Sequence, residues 1–492
     1  MSTCRRGFLR AAAGGLAAAG IGRSASRPKL LVLVVLEQIR PELFDSISTL
    51  LIAGGLRRVL YGGSRFTDCR NLASTFPASS LTTLATGAWP SQHGIVADRW
   101  YDRGGKTEVR ASNELMLATT LAAEALRAKS RATSYVVALE QWQANLVAGD
   151  NGVARFWMNP RGEFTTLGEP PTWLNEFNAL NPIDNQHNAV WSSPFATQGA
   201  PPLRTLTFDP EHPEEFLNLY KASPNSQAAQ FALAARLIEE YKLGTADSHD
   251  LVSIVAGSSA LLGYEVGGTD VLMREMTIAL DRHMRFLLDK LDGAVGENGY
   301  DLVLVGAHGA PPAPAESARG RMAVNGEAIA LAVDKALQTA GTGRVLKYVY
   351  PFLYLDAGWL RNAAPVRELA ARAALEHPAV AAYYTADGYC SEHDAWAARF
   401  GNSFHIRRSG DVMLSYRAEY VEDFGQPRGI SYGSLYNYDV RVPLYCYGPS
   451  FRPGVFDQAV LSVDIAPTLA RLLGVAAPSS TVGRVLGEAL AE

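Results

Sequence analysis

The sequence is poor in the residues that carry thiolate, redox or multi-histidine chemistry. Its 492 residues include only 4 cysteines and 9 histidines. No cysteine stands in a C-x-x-C or C-x-x-H spacing, so neither a thiolate zinc site nor a disulfide framework organises the chain. Blocks of one charge, internal repeats and low-complexity stretches are also missing. With 19% charged residues and a net charge of −4, nothing resembles the basic footprint of a nucleic-acid binder. What is present is 48% hydrophobic residues and a mean hydropathy of −0.02, the balance of a globular protein with a large core.

The first residues read as an address. Thr3-Cys4-Arg5-Arg6-Gly7-Phe8-Leu9-Arg10 precedes the small, weakly apolar run Ala11 to Gly22, the pattern of a twin-arginine export signal. That run is too short and too glycine-rich to span a membrane. Cleavage near Ser24-Ala25-Ser26 would give a signal over 1–26 and a mature chain over 27–492. Losing four arginines and no acid takes the net charge from −4 to −8. The mature protein is expected in the periplasm or outside the cell, with no membrane span and with Cys69, Cys390 and Cys446 of unassigned pairing.

Apolar, β-branched runs then alternate with helical stripes. Leu30–Leu36, Tyr135–Leu139, Leu251–Val255, Asp301–Gly306 and Val442–Gly448 read as strands of a sheet buried on both faces. Residues 227–242, 270–292 and a segment opening at Asp464, read as an N-cap, have helical periodicity. This alternation predicts an α/β fold, a three-layer sandwich around a mostly parallel central sheet. Irregular stretches at roughly 97–215 and 320–425 read as inserted cap segments.

One stretch organises the rest. Ser74-Thr75-Phe76-Pro77 leads into an apolar helix that stops at Thr86-Gly87 and is followed by Trp89-Pro90-Ser91-Gln92-His93-Gly94-Ile95. A hydroxyl presented at a helix N-terminus suits a nucleophile, because free N–H groups and the macrodipole favour an incoming anion. A buried helix with a Ser/Thr N-cap has the same pattern.

In order and over nearly the whole mature chain, these features resemble the alkaline phosphatase superfamily. The nearest pattern is that of phosphate-irrepressible periplasmic alkaline phosphatases and nucleotide pyrophosphatase/phosphodiesterases. The resemblance runs from Glu37-Gln38-Ile39-Arg40 through Thr75-Phe76-Pro77, His93-Gly94-Ile95, Trp100-Tyr101-Asp102 and Lys221-Ala222-Ser223-Pro224. It continues through Ala307-His308-Gly309, Tyr438-Asp439, Val442-Pro443 and Asp464-Ile465-Ala466-Pro467-Thr468-Leu469.

The resemblance implies two zinc ions that activate a hydroxyl nucleophile and stabilise the leaving oxygen. It also shows what this chain has changed. Glu37 stands for the first-strand Asp, Thr75 for the nucleophile (with Ser79 or Ser80 as substitutes), and His308 is retained. The remaining ligand positions hold Ala260, Tyr264, Ala307 and Arg441, none a usual zinc ligand. The phosphate-holding Lys-x-Arg becomes Glu140-Gln141-Trp142, and the phosphate-capping Asn becomes Asp98, so charge complementarity to a phosphate is reversed. The expectation is a pseudoenzyme that binds a small ligand or a protein partner, with no cofactor or at most one zinc or other divalent metal. The alternative is a hydrolase using Thr75 with a reduced metal site of Glu37 and His308, with Asp98 or Glu140 as acid or base and Arg441 holding an anionic group. A diester, sulfate or phosphonate would suit that site better than a monoester.

Overall fold

A computed structural model describes residues 28–128, 132–311, 322–356, 363–391, 395–418, 420–423 and 432–491. The expected export signal and its cleavage site lie outside the described residues.

The core is a ten-stranded sheet whose strands are, in chain order, β1 Leu30–Leu36, β2 Ser64–Arg70, β3 Ala132–Ala138, β4 Ala154–Met158, β5 Phe164–Thr166, β6 His249–Ala256, β7 Tyr300–Gly306, β8 Arg441–Tyr447, β9 Gly454–Phe456 and β10 Val460–Leu461. The spatial order is β9-β2-β8-β7-β1-β6-β3-β4-β5, with β10 also paired to β2. β1 lies parallel to both β6 and β7, and β3 continues parallel beside β6. β8 is inserted antiparallel to both of its neighbours.

The two faces of β1 show why its sequence is apolar throughout. Leu30, Val32 and Val34 cluster with Phe231, Met276 and Leu287, whereas Leu31, Leu33 and Val35 cluster with Leu81, Leu84 and Leu469. Alternate residues of a strand point to opposite faces, so a strand covered on both sides must be hydrophobic at every position. The first face is covered by the helices Pro224–Glu240 and Val271–Val295, and the second by α1 Pro77–Thr86, α2 Gln141–Ala148 and the helix Ile465–Leu473. This is the expected three-layer α/β sandwich.

One boundary and one capping bond differ from the sequence reading. The stretch 97–215 is not one excursion, because β3, β4 and β5 fall inside it and belong to the central sheet. Asp464 stands at the start of its helix, yet its carboxylate takes the N–H groups of Leu461 (2.9 Å) and Arg484 (2.9 Å), stapling the C-terminal segment instead of capping the helix. Within 320–425 the described strands make a sheet of their own. Strands Val345–Val349, Phe352–Leu355, Val412–Tyr416 and Val380–Thr385 form an antiparallel sheet backed by the helices Gly326–Thr339 and Ala363–Leu375. Its other face packs Phe352, Tyr354 and Met413 against Phe76, Ile95 and Trp100, which docks the cap over the start of α1. Among the described residues, Cys69, Cys390 and Cys446 form no disulfide. No described helix is long and apolar enough to cross a membrane.

Candidate functional site

Register builds the site. Leu36, the last residue of β1, stands opposite Ala256 and Gly306, so the chain leaves three adjacent strands at one level, into Glu37, Gly257 and Ala307. Open parallel sheets place their ligands at this carboxyl edge. The Ala307 N–H donates to the Leu36 carbonyl (2.8 Å) and the Ile39 N–H to the His308 carbonyl (3.1 Å). Between them Gln38 adopts a left-handed backbone with φ 55°, an uncommon state for a residue with a Cβ. Gly309 is required by contact: a Cβ there would lie 2.0 Å from the Tyr438 carbonyl oxygen, where the Tyr438-Asp439 segment crosses.

The two retained donors meet here. Glu37 is fully buried, receives the Gln143 amide on Oε2, and leaves Oε1 without a partner. Burial, with the nearby Asp98 charge adding to it, pushes its carboxyl up to about 8, so Glu37 is a neutral acid near pH 7. His308 is also fully buried and bonds the Gly309 carbonyl through Nδ1 (2.9 Å), leaving Nε2 unpartnered. Burial lowers its pKa to about 4 and keeps it neutral. An imidazole tied to a carbonyl through one nitrogen with the other free is the arrangement of a metal ligand.

The other positions add nothing to this pair. Ala260 and Tyr264 lie on the helix Ser258–Val266, whose Ser259 hydroxyl donates to the Glu37 carbonyl (2.6 Å). Tyr264 packs beside Tyr432, ring centroids 5.9 Å apart. Ala307 is fully buried. Arg441, expected to hold an anionic group, instead bonds Glu42 (3.2 Å) and the Thr67 carbonyl (3.3 Å) at the half-exposed start of β8. Among the described residues, no group of three His, Cys, Asp or Glu could hold a metal ion. A zinc site needs about three or four protein donors, so the residues present do not fit the two-zinc centre.

The expected nucleophile is turned away from the cleft. Thr75 is fully buried and its hydroxyl donates to the Ser434 carbonyl (2.9 Å). Ser80 accepts the Asn71 amide (3.0 Å), and Ser79 is fully buried. The residues that α1 presents to the cleft are Phe76, Pro77 and Ala78, none with a side-chain hydroxyl. The helix N-terminus already has an anion of its own: the Ala78 N–H donates to Asp98 Oδ1 (2.9 Å). An internal carboxylate thus takes a donor that would otherwise greet a phosphate. Burial raises Asp98 to about 6, partly offset by the bonds from Ala78 and the Tyr432 side chain.

Glu140 behaves differently from its sequence reading as a repulsive charge, because Lys221 donates to it at 2.7 Å and neutralises it. Gln143, one turn into α2, links the two positions by accepting the Glu140 N–H (2.8 Å) and donating to Glu37. The cleft outside this inner shell has a volume of about 720 Å³ and lies between the start of α1, the hairpin strands Arg99–Asp102 and Thr107–Arg110, and the cap. Sequence reasoning singled out neither Gln143 nor Tyr432. Neither has a motif, and both act through contacts between distant segments.

The type I phosphodiesterase / nucleotide pyrophosphatase family model matches residues 31–422. The alkaline phosphatase PafA of Elizabethkingia meningoseptica is 24% identical over 94% of this chain and 95% of its own length. The alkaline phosphatase PhoV of Synechococcus elongatus is 23% identical over 95% and 94%. The crystal structure of wild-type PafA superposes with a TM-score of 0.80 at 21% identity, covering 94% of this chain and 99% of that one. Murine ectonucleotide pyrophosphatase / phosphodiesterase 5 shares the fold at a TM-score of 0.58 and 15% identity, over 94% of this chain and all of its own. With sheet, edge and cap accounted for along almost its full length, the chain belongs to the type I phosphodiesterase / nucleotide pyrophosphatase family, within the alkaline phosphatase superfamily.

Proposed function

We propose that this protein is an exported member of its superfamily that has lost two-zinc phosphoryl transfer and binds a ligand or partner through the inherited cleft. One observation carries the reading: only Glu37 and His308 remain as donors at the sheet edge, and no third acid, cysteine or histidine among the described residues joins them. The Thr75 hydroxyl committed to Ser434 and the Asp98 carboxylate on the helix N-terminus support it. Loss of several ligands of one metal centre abolishes its chemistry, since removing even an outer-shell partner costs about 10- to 100-fold. Zinc content and aryl-phosphate turnover of the purified mature chain test the proposal. We expect less than one tightly bound zinc per chain and no turnover above a metal-free control. Two bound zincs with turnover overturn it.

A second reading, a hydrolase with one divalent ion, is favoured by the unpartnered Glu37 Oε1 and His308 Nε2. On that reading an esterase or diesterase activity exists and disappears in Thr75→Ala.

A further inference from the structure

The chemistry of the cleft wall is unlike that of a phosphate site. Phe76, Trp142, Tyr264, Tyr348, Tyr350 and Tyr432 line it, giving six aromatic rings in a space of about 720 Å³. Asp98, Glu327, Glu422 and Asp423 line it as well. Of the two arginines on the described wall, Arg99 lies 3.5 Å from Glu108 and its charge also reaches Asp98, which leaves Arg110 beside Glu327 and Glu422. The most buried of these acids are built in. Glu422 Oε2 accepts the hydroxyls of Tyr348 (2.9 Å) and Tyr416 (2.7 Å), and Asp98 accepts from Tyr432 and the Ala78 N–H. Each carboxyl is thus oriented by neutral donors, and no cation bonds either one among the contacts described.

The geometry points to an organic ammonium ion, a quaternary or fully substituted amine, as the ligand of this cleft. This rests on the proposed reading of the cleft as a binding site and names its ligand class. Three features converge. Ring faces attract a weakly hydrated cation. Fixed carboxylates supply charge that an anion would meet as repulsion. The volume lies within the range of small-molecule sites. Burial raises Glu422 to about 7 with neutral donors alone lowering it, whereas Asp98, raised to about 6, also feels the Arg99 charge.

The experiment uses the full mature chain and isothermal titration with four probes. These are choline, benzyltrimethylammonium, 3,3-dimethylbutan-1-ol (the uncharged isostere of choline) and inorganic phosphate. At least one of the two cations is expected to bind with a Kd below about 1 mM, the alcohol at least about tenfold more weakly, and phosphate not detectably. Trp142→Ala, at an exposed position that leaves the fold intact, is expected to weaken the cation about three- to tenfold. Glu422→Gln keeps an acceptor for both tyrosine hydroxyls and is expected to weaken it comparably. The inference is overturned if neither cation binds, if the alcohol binds as tightly, if phosphate binds more tightly, or if both variants leave affinity unchanged. None of these outcomes alters zinc content or turnover, so failure here is distinguishable from failure of the proposed function.

Discussion

Glu37 and His308 at the sheet edge, and Asp98 and Glu422 in the cleft wall, are all buried or partly buried polar groups, yet they are kept in different states. The first two each retain an unpartnered atom, at Glu37 Oε1 and His308 Nε2. The second two are bonded by tyrosine hydroxyls and, for Asp98, by a helix N–H. An unpaired buried polar atom costs about 1–3 kcal/mol, whereas an oriented and bonded one is close to neutral. On the proposed reading, the edge is a site inherited and left incomplete, and the wall a surface fitted to a ligand. Charge gives the same contrast: the edge residues are neutral near pH 7, while among the described residues the wall has more acids than bases.

The largest test of this contrast rebuilds the edge. Ala260→Asp, Tyr264→His, Ala307→Asp and Arg441→His together should restore a zinc-dependent centre. Added zinc should raise the unfolding temperature of that variant and leave the natural chain unmoved, as measured by calorimetry. Equal response in both would erase the distinction.

Next in size is Glu37→Gln. The Glu37 carboxyl titrates near 8 in the folded protein and near the ordinary carboxylate range when unfolded. The stability linked to its neutral form is thus fully present below pH 4.5 and is lost as pH rises through 8. Gln cannot ionise, so the variant should match the natural chain in acid and exceed it by on the order of 3 kcal/mol near pH 9, by urea unfolding. A variant weaker at high pH would show that Glu37 is an ionised, paired group.

Thr75→Ala removes a buried hydrogen bond and strands the Ser434 carbonyl. It should cost about 1–2 kcal/mol in the same assay and change no hydrolytic rate. The smallest effect is expected from Arg441→Ala, whose half-exposed pairing with Glu42 contributes less than about 1 kcal/mol. A larger loss would mean that Arg441 faces the edge after all.

The sheet was legible because its signal is local. Leu30–Leu36 is apolar at every position, which only a doubly covered strand needs, and parallel register then brings Glu37 and Ala307 to one level without further information. β4 and β5, at five and three residues, have too little pattern to separate from a cap. The identity of the edge residues could be read from motif order, but their directions could not. Thr75 turns inward because Ser434, 359 positions later, offers a carbonyl, and Arg441 turns outward toward Glu42, 399 positions earlier. Asp464 holds the N-cap position that the pattern predicts, but its carboxylate bonds Arg484, in a segment with no periodicity of its own.

The Glu140–Lys221 pair makes the change at the phosphate-holding position hard to undo one step at a time. Returning position 140 to a cation would set it against Lys221, only 8% exposed, and trade an attraction at 2.7 Å for a repulsion in a weakly solvated place. A cation at 140 is therefore less stable in this chain than Glu140 for as long as Lys221 keeps its present place.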